Sequence, residues 1–224
     1  MQPIFEKENF NEKRYATHEL GKPDDVRVKK IADLVGSGKT VLDIGCCDGY
    51  IGSFLIKNGN KVYGTDISKT CVDKANSKGL VAKFLDIEKG AIPFNTKFHT
   101  VIAGEIIEHV TDTSGFLQKI KKTLKKDGEL IITTPNTAAL GRRLLLLFGK
   151  NPHLEVSFEP YSAGHVRYFI KESLIWLLEK NGFKVTHYTS DIVNFNASGS
   201  VSSKTLADLL PTLGKTLIVK SVKI

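Results

Sequence analysis

Two short stretches of the chain concentrate the residue types that perform chemistry. In VLDIGCCDGY, residues 41–50, a hydrophobic run ends at Asp43, and Gly45 and Gly49 then flank Cys46 and Cys47. Glycines directly after an acid let backbone approach a bound molecule, while a carboxylate can fix its polar groups. In GEIIEHV, residues 104–110, Glu105, Glu108 and His109 stand at i, i+3 and i+4, on one face if the turn is helical. Carboxylates and an imidazole could hold Mg²⁺ or Zn²⁺ and lower the pKa of an acceptor hydroxyl. His109 could instead act alone as a general base near neutrality. The same residues also suit a helix start, with the acids toward its positive end and His109 packed inward. The spacing leaves all three readings open.

The glycine loop discriminates between cofactors. A dinucleotide fingerprint G-x-G-x-x-G begun at Gly45 needs glycine at 47 and 50, where the chain has Cys47 and Tyr50. The pattern acid-x-G-x-G-x-G of S-adenosylmethionine sites matches Asp43, Gly45 and Gly49 and misses only at Cys47. A side chain there disfavours positive φ, so Cys47 is expected in an ordinary backbone conformation. Adjacent thiols bridge only with strain, and no third ligand is spaced nearby, so Cys46 and Cys47 read as bystanders beside the cofactor rather than as a metal or redox site.

Stepping from these residues to what must hold them, the chain reads as alternating strands and helices. A helix opens at Asp24-Asp25 and runs to about Val35. Strand TVLDI (40–44), a helix from Tyr50 to Asn58 and strand KVYGTD (61–66) complete a βαβ unit. A helix over 68–77, strands at 81–86 and 98–104, a helix over 113–125 and a strand over 129–135 continue the pattern. This implies a doubly wound, mostly parallel sheet whose ligands sit at the carboxyl ends of its strands. Beyond it are expected a helix over 171–180 and strands over 183–189 and 215–222, able to pair antiparallel across a loop. The expected architecture is a seven-stranded α/β Rossmann-like domain. It divides into an N-terminal helical lead-in (1–38), a cofactor-binding core (39–135), an inserted cap (136–168) and a C-terminal helix and strand pair (169–224).

The composition fits a single soluble globular domain: 224 residues, 41% hydrophobic and 25% charged. The beginning, MQPIFEKENFNEKRY, has no signal-peptide core, and no apolar run is long enough to span a bilayer, so the cytoplasm is the expected location. Three cysteines without a C-x-x-C support neither a disulfide framework nor a zinc ribbon. The net charge of +8 admits an anionic partner, but the lysines are scattered as on solvated helix faces. The run Leu144–Phe148, behind Arg142-Arg143, reads as an ordinary buried short helix. The wider insertion, 138–150, is the segment through which a homodimer or a membrane-surface contact would form.

With VLDIGCCDG followed by VYGTD, the chain resembles the class I S-adenosylmethionine-dependent methyltransferases over roughly Asp24 to Gly182. The resemblance implies that Asp66 accepts from both ribose hydroxyls and that Asp86 and Ile87 flank the adenine. Asp43 would orient the loop or the methionine ammonium, and Gly45 and Gly49 would admit the methionyl part. Cys46, Cys47, Ile67, Gly104 and Glu105 fall beside the cofactor by the same likeness. E-x-x-E-H resembles the ubiquinone-pathway O-methyltransferases, in which these three residues are associated with a divalent cation; oxygen is therefore the expected acceptor atom. GHVRYF (164–169) is similar to a His-x-x-x-Phe segment of small-molecule methyltransferases. It makes His165, with His109, a candidate catalytic residue and Arg167 and Tyr168 candidate substrate contacts, Arg167 as a fork for an anion. The alternative is that Tyr168 and Phe169 are core and Arg167 a surface partner. AGEI stands where methylases of exocyclic base amines place N/D-P-P-Y/F, which argues against nucleic acid. An RNA methyltransferase and a non-catalytic cofactor-binding scaffold are the competing readings. Tyr15, His18 and Arg27 are candidates to close over the cofactor.

Overall fold

The computed structural model describes residues 25–152, 164–196 and 200–224. The elements that carry the site are, in order, α1 (Val26–Val35), β1 (Thr40–Ile44), α2 (Tyr50–Lys57), β2 (Lys61–Asp66), α3 (Lys69–Ser77), β3 (Val81–Phe84) and β4 (Phe98–Gly104). A 3₁₀ turn (Ile107–His109) leads to α4 (Thr113–Thr123), β5 (Leu124–Pro135) and α5 (Leu140–Leu147). The chain closes with α6 (Lys171–Lys180), β6 (Phe183–Ser190), the short strands β7 (Val193–Asn194) and β8 (Ser202–Ser203), α7 (Lys204–Leu209) and β9 (Thr216–Lys223).

Seven strands form one sheet in the order β3-β2-β1-β4-β5-β9-β6. Strands β1 to β5 pair in parallel, and β9 runs antiparallel to both β5 and β6. The expected seven-stranded, mostly parallel sheet is therefore present. Strand order reverses between β1 and β4, so their carboxyl ends diverge there into a crevice. The period-2 alternation of strands splits the core into two layers. Leu42, Ile44, Val101, Ala103, Leu130 and Ile132 face one side, with Phe116, Leu117 and Ile120 of α4. Val41, Ile102 and Ile131 face the other, with Ile31, Val35, Leu55 and Ala75 of α1 to α3. Phe98 and Phe183 are fully buried, each contributing about 1.5–3 kcal/mol of transfer free energy.

Local chemistry sets several boundaries. Asp25 caps α1, its Oδ1 accepting from Arg27 N at 2.9 Å and Val28 N at 3.3 Å. β3 ends at Phe84, two residues short of the expected strand, so Asp86 lies in the following turn. β5 begins at Leu124 rather than at Glu129: Leu124 already pairs with Phe98, and the register then shifts before Thr100. This also shortens the expected helix over 113–125. α7 stands in what reads as a Ser-rich loop. It is capped by Ser203 Oγ accepting from Leu206 N at 3.1 Å and buries only Ala207, too little apolar periodicity to signal a helix. The burial expected for Leu144–Phe148 is not found: α5 has no buried residue, and Leu147 and Phe148 are 75% and 74% exposed. Among the described residues, no helix is long and apolar enough to cross a membrane.

Candidate active site

The glycine loop closes against the end of β2. Gly45 N and Cys46 N both donate to Thr65 O, at 2.7 and 3.0 Å, and Gly49 N donates to Cys46 O at 2.9 Å. Cys47 N donates to Asp66 Oδ2 at 2.9 Å. Held this way, Gly45, Cys47 and Gly49 have φ of 71°, 46° and 79°. The expectation of an ordinary conformation at Cys47 is therefore wrong. The loop's hydrogen bonds impose the left-handed backbone of a glycine there, against a cost of about 1–2 kcal/mol for a side-chain-bearing residue. The pattern acid-x-G-x-G-x-G is thus complete in backbone even where it is broken in sequence. A Cβ on Gly45 would strike the Ile106 side chain, and one on Gly49 would lie 2.9 Å from Ala75 Cα, so both glycines are required by packing as well.

Asp43 and Asp66 end adjacent strands and are both buried. Asp66 also accepts from Ser68 N at 2.9 Å through Oδ1. Asp43 Oδ2 is buried without a hydrogen-bond partner. Burial, then the charge of Asp66, raises the Asp43 pKa to about 7, with Arg27 opposing. A buried acid with an unsatisfied oxygen, beside a loop of three left-handed residues, fits a ligand that brings a cationic amine and a close-lying chain. Ile67 is half-buried just after β2. Asp86 and Ile87 are half-buried past the end of β3; Asp86 accepts from Glu88 N at 3.1 Å and pairs with Lys89 at 2.9 Å.

The cysteines divide. Cys46 points into the core layer of α1 to α3. Cys47 Sγ lies 3.4 Å from Sγ of Cys71, in the first turn of α3. Sequence spacing concealed that pair, since it joins residues 24 apart through the fold.

On the other side of the crevice, Gly104 and Glu105 follow β4. Glu105 has φ of 56°, which breaks the continuous helical turn expected across Glu105, Glu108 and His109. Its carboxylate instead accepts from Thr133 Oγ1 at 3.1 Å and lies 3.5 Å from Arg27 Nη1. Burial raises its pKa, with Arg27 opposing. Only Ile107–His109 is helical, as a 3₁₀ turn, and Glu108 and His109 meet the segment from Gly164 on. Val166 N and Arg167 N donate to Glu108 O at 2.9 and 3.0 Å, and His109 Nδ1 contacts Gly164 O at 3.1 Å. The two imidazoles stack, tilted, with centroids 4.9 Å apart, and His165 Nε2 is 4.0 Å from Glu108 Oε1. Glu108 Oε2 accepts from Thr134 Oγ1 at 3.0 Å, while Oε1 is buried with no hydrogen bond. Burial and the neighbouring Glu105 push the Glu108 pKa up to about 8.

The expected metal set Glu105, Glu108, His109 is therefore rearranged. Ligand atoms of Glu108, His109 and His165 lie within 4.8 Å of one another, and Glu105 is turned to Arg27 and Thr133. One carboxylate oxygen and two imidazole nitrogens could hold a divalent cation there. Arg167 and Tyr168 are exposed, Arg167 donating to Thr111 O at 2.6 Å, and Phe169 is core. Neither lines the polar cleft between α1 and the carboxyl ends of β4 and β5. That cleft is lined by Asp25, Arg27, Glu105, Arg142, Asp191 and Lys215, among others. Asp191, Lys215 and the supporting Thr133 and Thr134 had no sequence signal, because they come from segments far from either motif. Of the three candidates to cover the cofactor, Arg27 is placed beside Glu105; Tyr15 and His18 lie outside the described residues.

A family described as Methyltransferase domain matches residues 15–188. A ubiquinone biosynthesis O-methyltransferase of Pelagibacter ubique is 30% identical over 161 residues, covering 70% of this chain and 65% of that protein. The mitochondrial ubiquinone biosynthesis O-methyltransferase of Bos taurus is 29% identical over 180 residues, covering 76% of this chain and 45% of the relative. The chain thus spans less than half the length of that bovine relative. Among solved structures, a TehB-like SAM-dependent methyltransferase of Corynebacterium glutamicum superposes with a TM-score of 0.62 at 19% identity, covering 99% of this chain and all of the other. A magnesium protoporphyrin IX methyltransferase of Synechocystis with bound SAH gives 0.60 at 17% identity, covering 100% and 89%. At these identities the two structures speak for the fold.

Proposed function

We propose that this chain, which belongs to the class I S-adenosylmethionine-dependent methyltransferases, methylates an oxygen atom of a small-molecule acceptor. The observation that carries this reading is the convergence of Glu108, His109 and His165 just past the end of β4, the strand hydrogen-bonded to β1 that carries the glycine loop. The names of the relatives, O-methyltransferases of ubiquinone biosynthesis, support oxygen as the acceptor atom.

S-adenosylmethionine supplies a methyl group already activated on a sulfonium, so the protein's tasks are to align donor and acceptor, exclude water and take up one proton. Asp66 accepts from the ribose hydroxyls, Asp43 receives the amino-acid ammonium, and Asp86 with Ile87 borders the adenine. Gly45 and Gly49 admit the methionyl chain against backbone. On the acceptor side His109 is the base. In the tautomer that donates from Nδ1–H to Gly164 O, Nε2 carries the lone pair that would take the acceptor's proton. His165 and Glu108 hold that ring in place. The same three side chains would hold a divalent cation if the reaction uses one, and the cation would lower the pKa of the acceptor hydroxyl.

The test is transfer of labelled methyl from S-adenosylmethionine into a metabolite extract, with RNA as a parallel acceptor. Label in a methyl ether of a small molecule is expected. Label in RNA, or no product from protein that binds S-adenosylhomocysteine, would overturn the reading in favour of an RNA methyltransferase or a scaffold. Titration with a chelator separates the two acceptor chemistries: a metal route loses activity and regains it on adding Mg²⁺ or Zn²⁺.

A further inference from the structure

We propose that Cys47 and Cys71 form a peroxide-sensitive thiol pair whose oxidation to a disulfide disables the cofactor loop. Three observations carry it. The two sulfurs are 3.4 Å apart, close enough that joining them at about 2.05 Å requires only a small approach. Cys47 is half-buried, giving a small oxidant access, whereas Cys71 is enclosed beside it and ready to resolve the oxidised sulfur. The third cysteine, Cys46, is directed into the core, its Sγ 3.8 Å from Cys47 O, so the close sulfur pair is Cys47 with Cys71.

The surroundings suit Cys71 as the resolving thiolate, whereas its exposure, not thiolate character, singles out Cys47 for the first attack. Cys71 stands in the first turn of α3, where the positive end of a helix favours a thiolate. The hydrogen bond from Cys47 lowers the Cys71 pKa, with Ser68 adding to it, and the same bond raises that of Cys47. In the first step Cys47 Sγ attacks one oxygen of hydrogen peroxide. The O–O bond breaks and the thiol proton leaves with the departing hydroxide as water, giving a sulfenic acid. Cys71 Sγ then attacks that sulfur and expels hydroxide, which takes the Cys71 proton as a second water. Two thiols lose two electrons to one peroxide, and one S–S bond forms.

The consequence follows from what Cys47 holds. Its backbone N–H fixes Asp66 Oδ2 at 2.9 Å, and the next glycine of the loop, Gly49, packs on Ala75 of α3. Drawing Cys47 toward α3 displaces this N–H and with it the carboxylate assigned to the ribose. This last step rests on the cofactor-site assignment proposed above; formation of the disulfide does not.

The experiment treats the full chain with hydrogen peroxide, blocks remaining thiols, and maps non-reduced tryptic peptides alongside calorimetry with S-adenosylhomocysteine. Lysines between the two positions, at 57, 61 and 69, place the partners on separate peptides. Expected are a peptide cross-link that fragmentation assigns to Cys47–Cys71, a loss of affinity of tenfold or more, and recovery of both on adding dithiothreitol. Cys71→Ala should keep its affinity through peroxide treatment; should that variant not fold, reversal by dithiothreitol in the unsubstituted chain carries the test. A link through Cys46, or oxidation without a link, would overturn the thiol pair. A Cys47–Cys71 link with unchanged affinity would overturn its effect on the loop. Failure of the reduced protein to bind S-adenosylhomocysteine at all would instead overturn the cofactor assignment, leaving the pair itself to stand on the peptide map.

Discussion

The residues proposed for the methyl donor and those proposed for the acceptor are supplied by the chain in opposite ways. Asp43, the glycine loop, Asp66 and Asp86 come from consecutive βα turns within 44 residues, and the parallel register of β1, β2 and β3 brings them together in chain order. The residues proposed for the acceptor, Glu108, His109 and His165, are brought together from segments 56 positions apart. The first arrangement is a property of one supersecondary unit, and its chemistry tolerates little change. The second is a property of the tertiary fold, and different acceptors can be accommodated by altering segments that leave the sheet intact.

If the two sides are separable in this way, substitutions should separate too. The largest effect is expected for His109→Ala, a fall in the methyl-transfer rate of about 10²–10⁴ from loss of the base, with affinity for S-adenosylhomocysteine unchanged. Rate and affinity falling together would show that His109 belongs to both sides. Gly45→Val should cost about 1–3 kcal/mol through overpacking against Ile106, in addition to the strain of its left-handed backbone, measured as a lower denaturation midpoint. A neutral result would mean that Ile106 moves freely and the loop does not depend on β4. Asp66→Ala should weaken S-adenosylhomocysteine by about 1–3 kcal/mol, read by calorimetry.

The pH dependence sharpens the donor side further. Asp43 binds its proton up to about pH 7 in the native protein, against an ordinary value of 3.8. Between those values the unfolded chain releases the proton first, so stability from this group is complete below about pH 4 and is lost as pH rises toward 7. Denaturation midpoints across that window should decline more steeply for the natural chain than for Asp43→Asn. Equal slopes would show that Asp43 does not titrate there. The smallest effect is expected for Arg167→Ala, within about 0.5 kcal/mol of the natural chain in stability and with little change in rate, since its guanidinium is exposed on Thr111 O. Loss of activity would bring Arg167 back into the acceptor pocket.

The same contrast explains what the sequence disclosed. The alternation of strands and helices and the mostly parallel sheet were legible because period-2 strands, glycine stops and strand-end acids are local signals. The antiparallel return of β9 between β5 and β6 could be anticipated only as a pairing. Cys47 was misread for a physical reason: residue type suggests φ, but three backbone hydrogen bonds of the loop and the bond from Cys47 N to Asp66 decide it. The E-x-x-E-H motif was legible as a cluster of chemistry-bearing residues, yet its internal geometry depended on the left-handed Glu105, which helical spacing hides. The partnership of His109 with His165, 56 positions away, and of Cys47 with Cys71 are likewise products of packing.

One measurement addresses the division of labour directly: single-turnover transfer of labelled methyl, followed as a function of S-adenosylmethionine concentration for the natural chain, Asp66→Ala and His109→Ala. Asp66→Ala should shift the half-saturating concentration about tenfold upward and reach nearly the natural plateau. His109→Ala should saturate at the natural concentration with a plateau at least a hundredfold lower. A lowered plateau for Asp66→Ala with unshifted saturation, or a shifted saturation for His109→Ala with a natural plateau, would contradict the account.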